Sequence, residues 1–230
     1  MNKKLGEYGT FILLAIIVPM AIFLSFKPTT QVKYKIGDFE FEYGGDIEGE
    51  TIKIMELGNL GEPATATSPP YPPFKRYSLT SGIQAVLNEY GEVPLLPTWF
   101  PEEMKFADVY MGPVTIISFS DRKVSDFRFA NITIQVKLYP NPPSLDELNK
   151  SVEYGKQQGN NDLNLVQIGD TWVVLSEKAG LGDPEVEAMF GPSPLAWFFK
   201  DNYYYIICVK SPLTPQDMIK IMESLKPANQ

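Results

Sequence analysis

Glu102 and Glu103 follow closely on Trp99 and Phe100. Two carboxylates beside aromatic rings are the residue types of a sugar-cleaving site, one acid to protonate the leaving oxygen and one to activate water or attack. Adjacent side chains diverge from the backbone, however, and a surface turn after a buried Trp-Phe pair accounts for the same letters. Ser120 and Lys123 meet the bare S-x-x-K spacing of a lysine-activated serine, but they fall on the polar hairpin turn Ser120-Asp121-Arg122. Cys208 lies in the strand-like run YYYIICVK, where a thiol ordinarily serves as a small buried hydrophobe. Asp46, Glu48 and Glu50 lack the ordered oxygen spacing of a calcium loop and read as a solvated acidic face.

The residue counts exclude more than these patterns suggest. There is no histidine, which removes Ser-His-Asp and Cys-His nucleophile systems and every histidine metal site. A single cysteine removes intramolecular disulfides and zinc ribbons. No GxxxxGK[ST] loop and no GxGxxG after a strand is present to cradle a nucleotide's phosphates. The formal net charge of -8 opposes nucleic-acid binding, which needs a basic patch. The expectation is a chain without enzymatic activity, cofactor, metal, nucleotide or nucleic acid.

Location is written in the first residues. Phe11 to Phe26, FILLAIIVPMAIFLSF, carries no charge and, extended by Tyr8, Gly9 and Thr10, approaches the roughly 20 residues that span a bilayer. Phe11, Ile12, Leu13, Leu14, Pro19, Phe23 and Phe26 are its membrane-anchor candidates, Pro19 marking a kink that bilayer helices tolerate. Leu24-Ser25-Phe26-Lys27 offers no small-residue cleavage pattern, so an uncleaved signal anchor is expected rather than a removed leader. Lysines flank both ends, Lys3 and Lys4 before and Lys27, Lys33 and Lys35 after, so charge alone leaves orientation open. The short leading flank and the large following segment favour a domain delivered outside the cytoplasm. Lys3-Lys4-Leu5-Gly6 also has the general shape of a prepilin leader, but the glutamate expected five residues after the cut is missing.

Elements follow from periodicity. The expected order is a short cytoplasmic segment (1-9), the transmembrane helix (10-26), a juxtamembrane segment with a β-hairpin (27-60), a proline-rich linker (61-74) and an α+β domain (75-230). Phe39, Phe41 and Tyr43 alternate with glutamates before Gly44-Gly45, which predicts a hairpin with residues 47-57. Helical spacing marks 79-90, 144-158 and 214-225, the second opening with a capping-box pattern and the third with proline at its first position. Strands are expected over 114-120, 127-139, 163-168, 171-178, 195-200 and 203-210. Hairpins with segregated helices imply a mostly antiparallel sheet with two or three packed helices.

Three stretches carry a resemblance: Pro94-Leu95-Leu96-Pro97-Thr98-Trp99-Phe100-Pro101-Glu102-Glu103-Met104, the turn Gly169-Asp170-Thr171-Trp172, and the closing run from Leu213 to Leu225. Together they resemble a domain of unknown function in membrane-anchored, extracytoplasmic proteins of bacteria and some archaea, over about Ile83 to Leu225. Phe100 stands where that pattern usually has leucine, Glu103 where glycine is common, and Asp217 in the acidic pair of the last helix. The resemblance implies fold and location, and association with anti-sigma-like or lipoprotein-carrier-like modules implies sensing, scaffolding or envelope maintenance.

Consecutive aromatics from Trp197 to Tyr205 cannot all face one core, so part of this run covers a second layer or forms an apolar or partner surface; Trp197, Phe199, Tyr203 and Tyr205 are its candidates. The loop Asp183 to Pro194 lies nearby in the chain. Asn131-Ile132-Thr133 and Asn149-Lys150-Ser151 match the glycosylation acceptor triplet at Asn131 and Asn149. The function expected is a single-pass, membrane-anchored binding, sensor or accessory protein whose partners are the lipid bilayer and a membrane or envelope protein. Carriage of an apolar ligand, a pilin-like role and a histidine-free envelope hydrolase are the alternatives.

Overall fold

A computed structural model describes residues 33-53, 73-101, 104-181 and 183-228. The expected anchor (Phe11 to Phe26), most of the expected proline-rich linker and the Glu102-Glu103 pair lie outside these residues. Among the described residues no helix is long and apolar enough to cross a membrane.

An antiparallel sheet dominates the fold. Its strands are β3 (Glu50-Ile52), β4 (Phe74-Ser78), β6 (Phe106-Met111), β7 (Thr115-Ser120), β8 (Ile132-Leu138), β9 (Asn164-Ile168), β10 (Thr171-Ala179), β11 (Ser193-Lys200) and β12 (Tyr203-Val209). They lie in the order β3-β4-β6-β7-β8-β12-β11-β10-β9. Two small ribbons accompany it, β1 (Tyr34-Ile36) with β2 (Phe39-Phe41) and β5 (Leu95-Pro97) with β13 (Leu225-Pro227). Four α-helices are described: α1 (Leu79-Tyr90), α2 (Leu145-Gln157), α3 (Pro184-Phe190) and α4 (Pro215-Glu223). The α+β class with a mostly antiparallel sheet is therefore present, with one helix more than the pattern predicts.

One face of the sheet carries the main core. Val109, Ile117, Ile134, Val136, Val173, Phe198, Tyr205 and Ile207 meet Ile83 from α1, Met218 and Ile221 from α4, Phe41 and Leu96 from the ribbons, and Phe100 just beyond β5. Helix α1 lies close because Gly82 has no side chain; a Cβ there would collide with Val109. Ser78 caps its first turn and Gly91, at φ +81°, ends it. The expected caps of α2 and α4 both close: Ser144 with Glu147, and Thr214 with Asp217 after which the proline at the first position follows.

Where the structure departs from the sequence expectation, buried polar bonds are the cause. Residues 39-41 pair back with 34-36 instead of forward with 47-57. The stretch after Tyr43 is committed elsewhere: the Gly44 N-H donates to Asp108 Oδ1 (2.8 Å), and both carboxylate oxygens of Glu48 accept from the Ser78 N-H (3.1 and 3.0 Å). Arg76 holds this clasp, donating to Asp108 Oδ2 (2.8 Å) and to the Val124 carbonyl (3.2 Å), with Glu50 at 3.5 Å. Glu48 and Glu50 thus make structural bonds, while Asp46 and Glu48 stay exposed as a solvated acidic face requires and Glu50 is half-buried. The described residues fall in one compact unit, so the expected juxtamembrane segment contributes β1, β2 and β3 to the domain itself.

Three further elements differ. Strand β6 is buried on both faces apart from its ends, so it shows no alternation, and Asp108 at its centre disguises it further. Residues 127-129 form a 3-10 turn rather than strand, because the Asp126 carboxylate accepts from the Arg128 N-H (2.9 Å). Residues 184-190 form α3 rather than loop, capped by Asp183 with Pro184 at the first position.

Candidate binding surface

Strand register decides which aromatics are available. Strands β11 and β12 are joined by Asp201-Asn202, both at positive φ (+50° and +64°), the backbone of a type I′ two-residue turn. This turn pairs Lys200 with Tyr203, and the pairing continues as Phe199 with Tyr204, Phe198 with Tyr205 and Trp197 with Ile206. Alternation then sends Phe198, Tyr203 and Tyr205 into the main core and Trp197, Phe199, Tyr204 and Ile206 to the other face. Tyr203 and Tyr205 are fully buried, and each phenol is bonded: Tyr203 to the Glu92 carbonyl (3.2 Å) and Tyr205 from the Leu95 N-H (3.1 Å). They are core residues, not surface ones. Tyr204, absent from the expected set, takes their place.

On the second face these rings form a continuous cluster. Phe199 and Tyr204 are 4.8 Å apart between ring centres, Trp197 lies 6.2 Å from Phe199 and 6.1 Å from Tyr204, and Tyr139 lies 5.1 Å from Phe199. Trp197, Phe199 and Tyr204 are half-buried, and Tyr139 is 43% exposed. Tyr139 opens the link from β8 to α2, which must pass β12, β11 and β10 to reach β9 at the sheet's far edge. The rings therefore form a floor for that crossing. Beside them a cleft of about 280 Å³ is lined by Pro142, Pro143, Leu145, Trp172, Phe199 and the Asp170-Lys200 ion pair (2.9 Å), among others. Trp172 is 38% exposed there.

The surface is chemically a stacking surface with a polar rim. Burial pushes the Tyr204 phenol up to about 12, helped by the neighbouring Tyr139, so it stays neutral at physiological pH. Nothing in it supplies a nucleophile with a paired base. Offset and edge-on aromatic rings of this kind bind flat or extended apolar groups, prolines and aliphatic side chains included.

The remaining candidates are separated by the fold. Ser120 is buried and donates to the Arg122 carbonyl (2.8 Å), while Lys123 is exposed, so the two form no activated pair. Cys208 is buried, which pushes its thiol up. Trp99 lies under the Lys220 ammonium (5.1 Å) and Phe100 is in the core against Phe41 and Phe119. Asn131 is buried, its Oδ1 accepting from the Asp121 N-H (3.1 Å); a glycan there is incompatible with this fold. Asn149 is exposed on α2. Among the described residues no group of three or more acids or cysteines is arranged to hold a metal ion. A second hollow, about 480 Å³ on the core side, is lined by Leu87, Glu92, Val93, Leu95, Asp201 and Tyr205, among others.

Comparison with known proteins adds no relative: no family model, no curated protein and no solved structure matches the chain.

Proposed function

We propose that this is a single-pass membrane protein, anchored by Phe11 to Phe26, that exposes a non-catalytic binding or sensor domain outside the cytoplasm and serves as an accessory subunit to another membrane or envelope protein. The observation that carries the reading is the ring cluster of Tyr139, Trp197, Phe199 and Tyr204, half-open on a sheet face whose opposite side already holds the main core. A continuous layer of rings left half-open to solvent marks an interaction site. The occupant that fits is an extended, proline-bearing segment of the partner, since Pro142 and Pro143 of the chain's own crossing already line the adjoining cleft with Phe199 and Trp172. The charge-free run at the amino end and the resemblance to membrane-anchored extracytoplasmic domains support the location.

Native mass spectrometry of the intact chain, extracted gently from its own membranes, tests the reading. A stoichiometric protein partner that is lost on Trp197→Ala or Phe199→Ala is the expected result. A partner retained by both variants would overturn the assignment of the surface. The hollow at the C-terminal end of α1 favours a second reading, a carrier or sensor of a small apolar ligand; bound lipid without protein would select it.

A further inference from the structure

The two outer strands of the sheet are built differently. At one edge β3 is only Glu50-Thr51-Ile52, its glutamate is engaged by Arg76, and Lys53 follows it. Shortness and charge are ordinary ways of blunting an edge against further pairing. At the other edge β9 is Asn164-Leu165-Val166-Gln167-Ile168, with no charge, no proline and no glycine. Its register with β10 is unbroken from Asn164 with Leu175 to Ile168 with Thr171, so no bulge twists it away. Among the described residues nothing pairs with its outer side.

The turn fixes which backbone groups are free. Gly169, at φ +59°, and Asp170 form a two-residue connection, which makes Ile168 with Thr171 the first hydrogen-bonded pair. In an antiparallel ladder such pairs alternate, so Ile168, Val166 and Asn164 spend their N-H and C=O groups on β10. Leu165 and Gln167 turn theirs outward.

We infer that β9 is the dimerisation edge of this protein and that its occupant is β9 of a second copy, paired antiparallel about a two-fold axis through Val166. That register places Leu165 opposite Gln167 of the second copy, and Gln167 opposite its Leu165. Each outward N-H then meets an outward C=O. Val166 faces Val166 of the second copy as a non-hydrogen-bonded pair on the core side, where β9 already packs. Ile168 meets Asn164 of the second copy, and no charge of one β9 is set against a charge of the other. A second copy uses up the same edge on both partners, so the two-fold contact closes and leaves no further β9 edge open, which a foreign strand with a second edge of its own would not do.

The pairing makes a register-specific prediction. Non-hydrogen-bonded partners stand about 4.5 Å apart at Cα, within the range of about 4.4-6.8 Å that a disulfide bridges. In the full chain in detergent, Val166→Cys should therefore form a covalent dimer under mild oxidation. Ile168→Cys should not, because the two copies of residue 168 lie about 13 Å apart along the strands. Cys208 is buried and gives the background. Gln167→Pro removes an outward N-H that the chain's own sheet does not use; it should leave circular dichroism unchanged and convert the dimer to monomer by light scattering. Leu165→Lys, which places charge on the same edge without touching the backbone, should do the same. A wild-type chain that is monomeric with no crosslink at residue 166 would overturn the inference. So would a dimer that survives both Gln167→Pro and Leu165→Lys, or a different protein found seated on β9.

Discussion

Phe198 and Phe199 are neighbours in sequence with opposite fates, one closed inside the main core and the other on the half-open second face. Phe198→Ala should cost about 3-5 kcal/mol in chemical denaturation, the usual range for a buried ring. Phe199→Ala should cost less than half of that, because much less of the ring leaves water on folding. Equal losses would mean that the second face is as closed as the first. Arg76 offers the sharpest single-residue test. Its guanidinium lies 2.8 Å from the Asp108 carboxylate with both side chains almost wholly buried, and Arg76→Met would leave that buried carboxylate without its cation, with the Gly44 N-H still donating to it. A loss of about 3-5 kcal/mol is expected. The double change Arg76→Met, Asp108→Leu should recover part of it, which a thermodynamic cycle on the four proteins would measure. None of this pairing is legible in the sequence, since Arg76 and Asp108 are far apart in the chain and each looks like an ordinary surface charge. The aromatic run was legible as two-faced, but assigning Tyr203 and Tyr205 to the open face required the register, and the register depends on a turn of two residues.

Elements with local signals are the ones the sequence declares. Helices α1, α2 and α4 carry their own caps and apolar spacing, and the hairpins at Gly169-Asp170 and Asp201-Asn202 carry their own turn residues. Elements defined by distant partners stay hidden, as β6 does behind its double burial and β5 and β13 do in three-residue pieces that exist only by pairing with each other. Element packing is tested by Gly82→Ala. The added methyl would push α1 off Val109, and a loss of about 1-3 kcal/mol is expected even though alanine is the better helix former. An unchanged or raised melting temperature would show that α1 can shift without loss.

For the whole molecule, ionisation at high pH is the accessible probe. Burial holds the Tyr203 phenol up at about 12, with the Glu92 carboxylate adding to it, and Tyr204 is held at about the same value. A phenol whose folded pKa is raised contributes stability that is complete below the unfolded value near 10 and is lost as pH rises toward the folded one. Unfolding midpoints should therefore fall between about pH 10 and 12, and the phenolate absorbance that Tyr203→Phe and Tyr204→Phe remove should appear together with unfolding rather than before it. Lys210 acts oppositely: burial lowers its pKa below 10.5, so its contribution is full above that value and declines as pH falls through the lowered one. The crossing from β8 to β9 has a separate, kinetic consequence. Strands β9 to β12 pair in chain order, β10 with β11 across α3, and β6 to β8 do the same, but the seam between β8 and β12 joins residues widely separated in the chain. Hairpins close in about 1-10 μs, whereas contacts of long sequence separation wait on loop closure. Refolding should gain most of its far-ultraviolet ellipticity before Trp197 emission reaches its final value, because Tyr139 settles over Phe199 and Tyr204 only once the seam has formed. Superimposable time courses from the two probes would rule out that order of assembly.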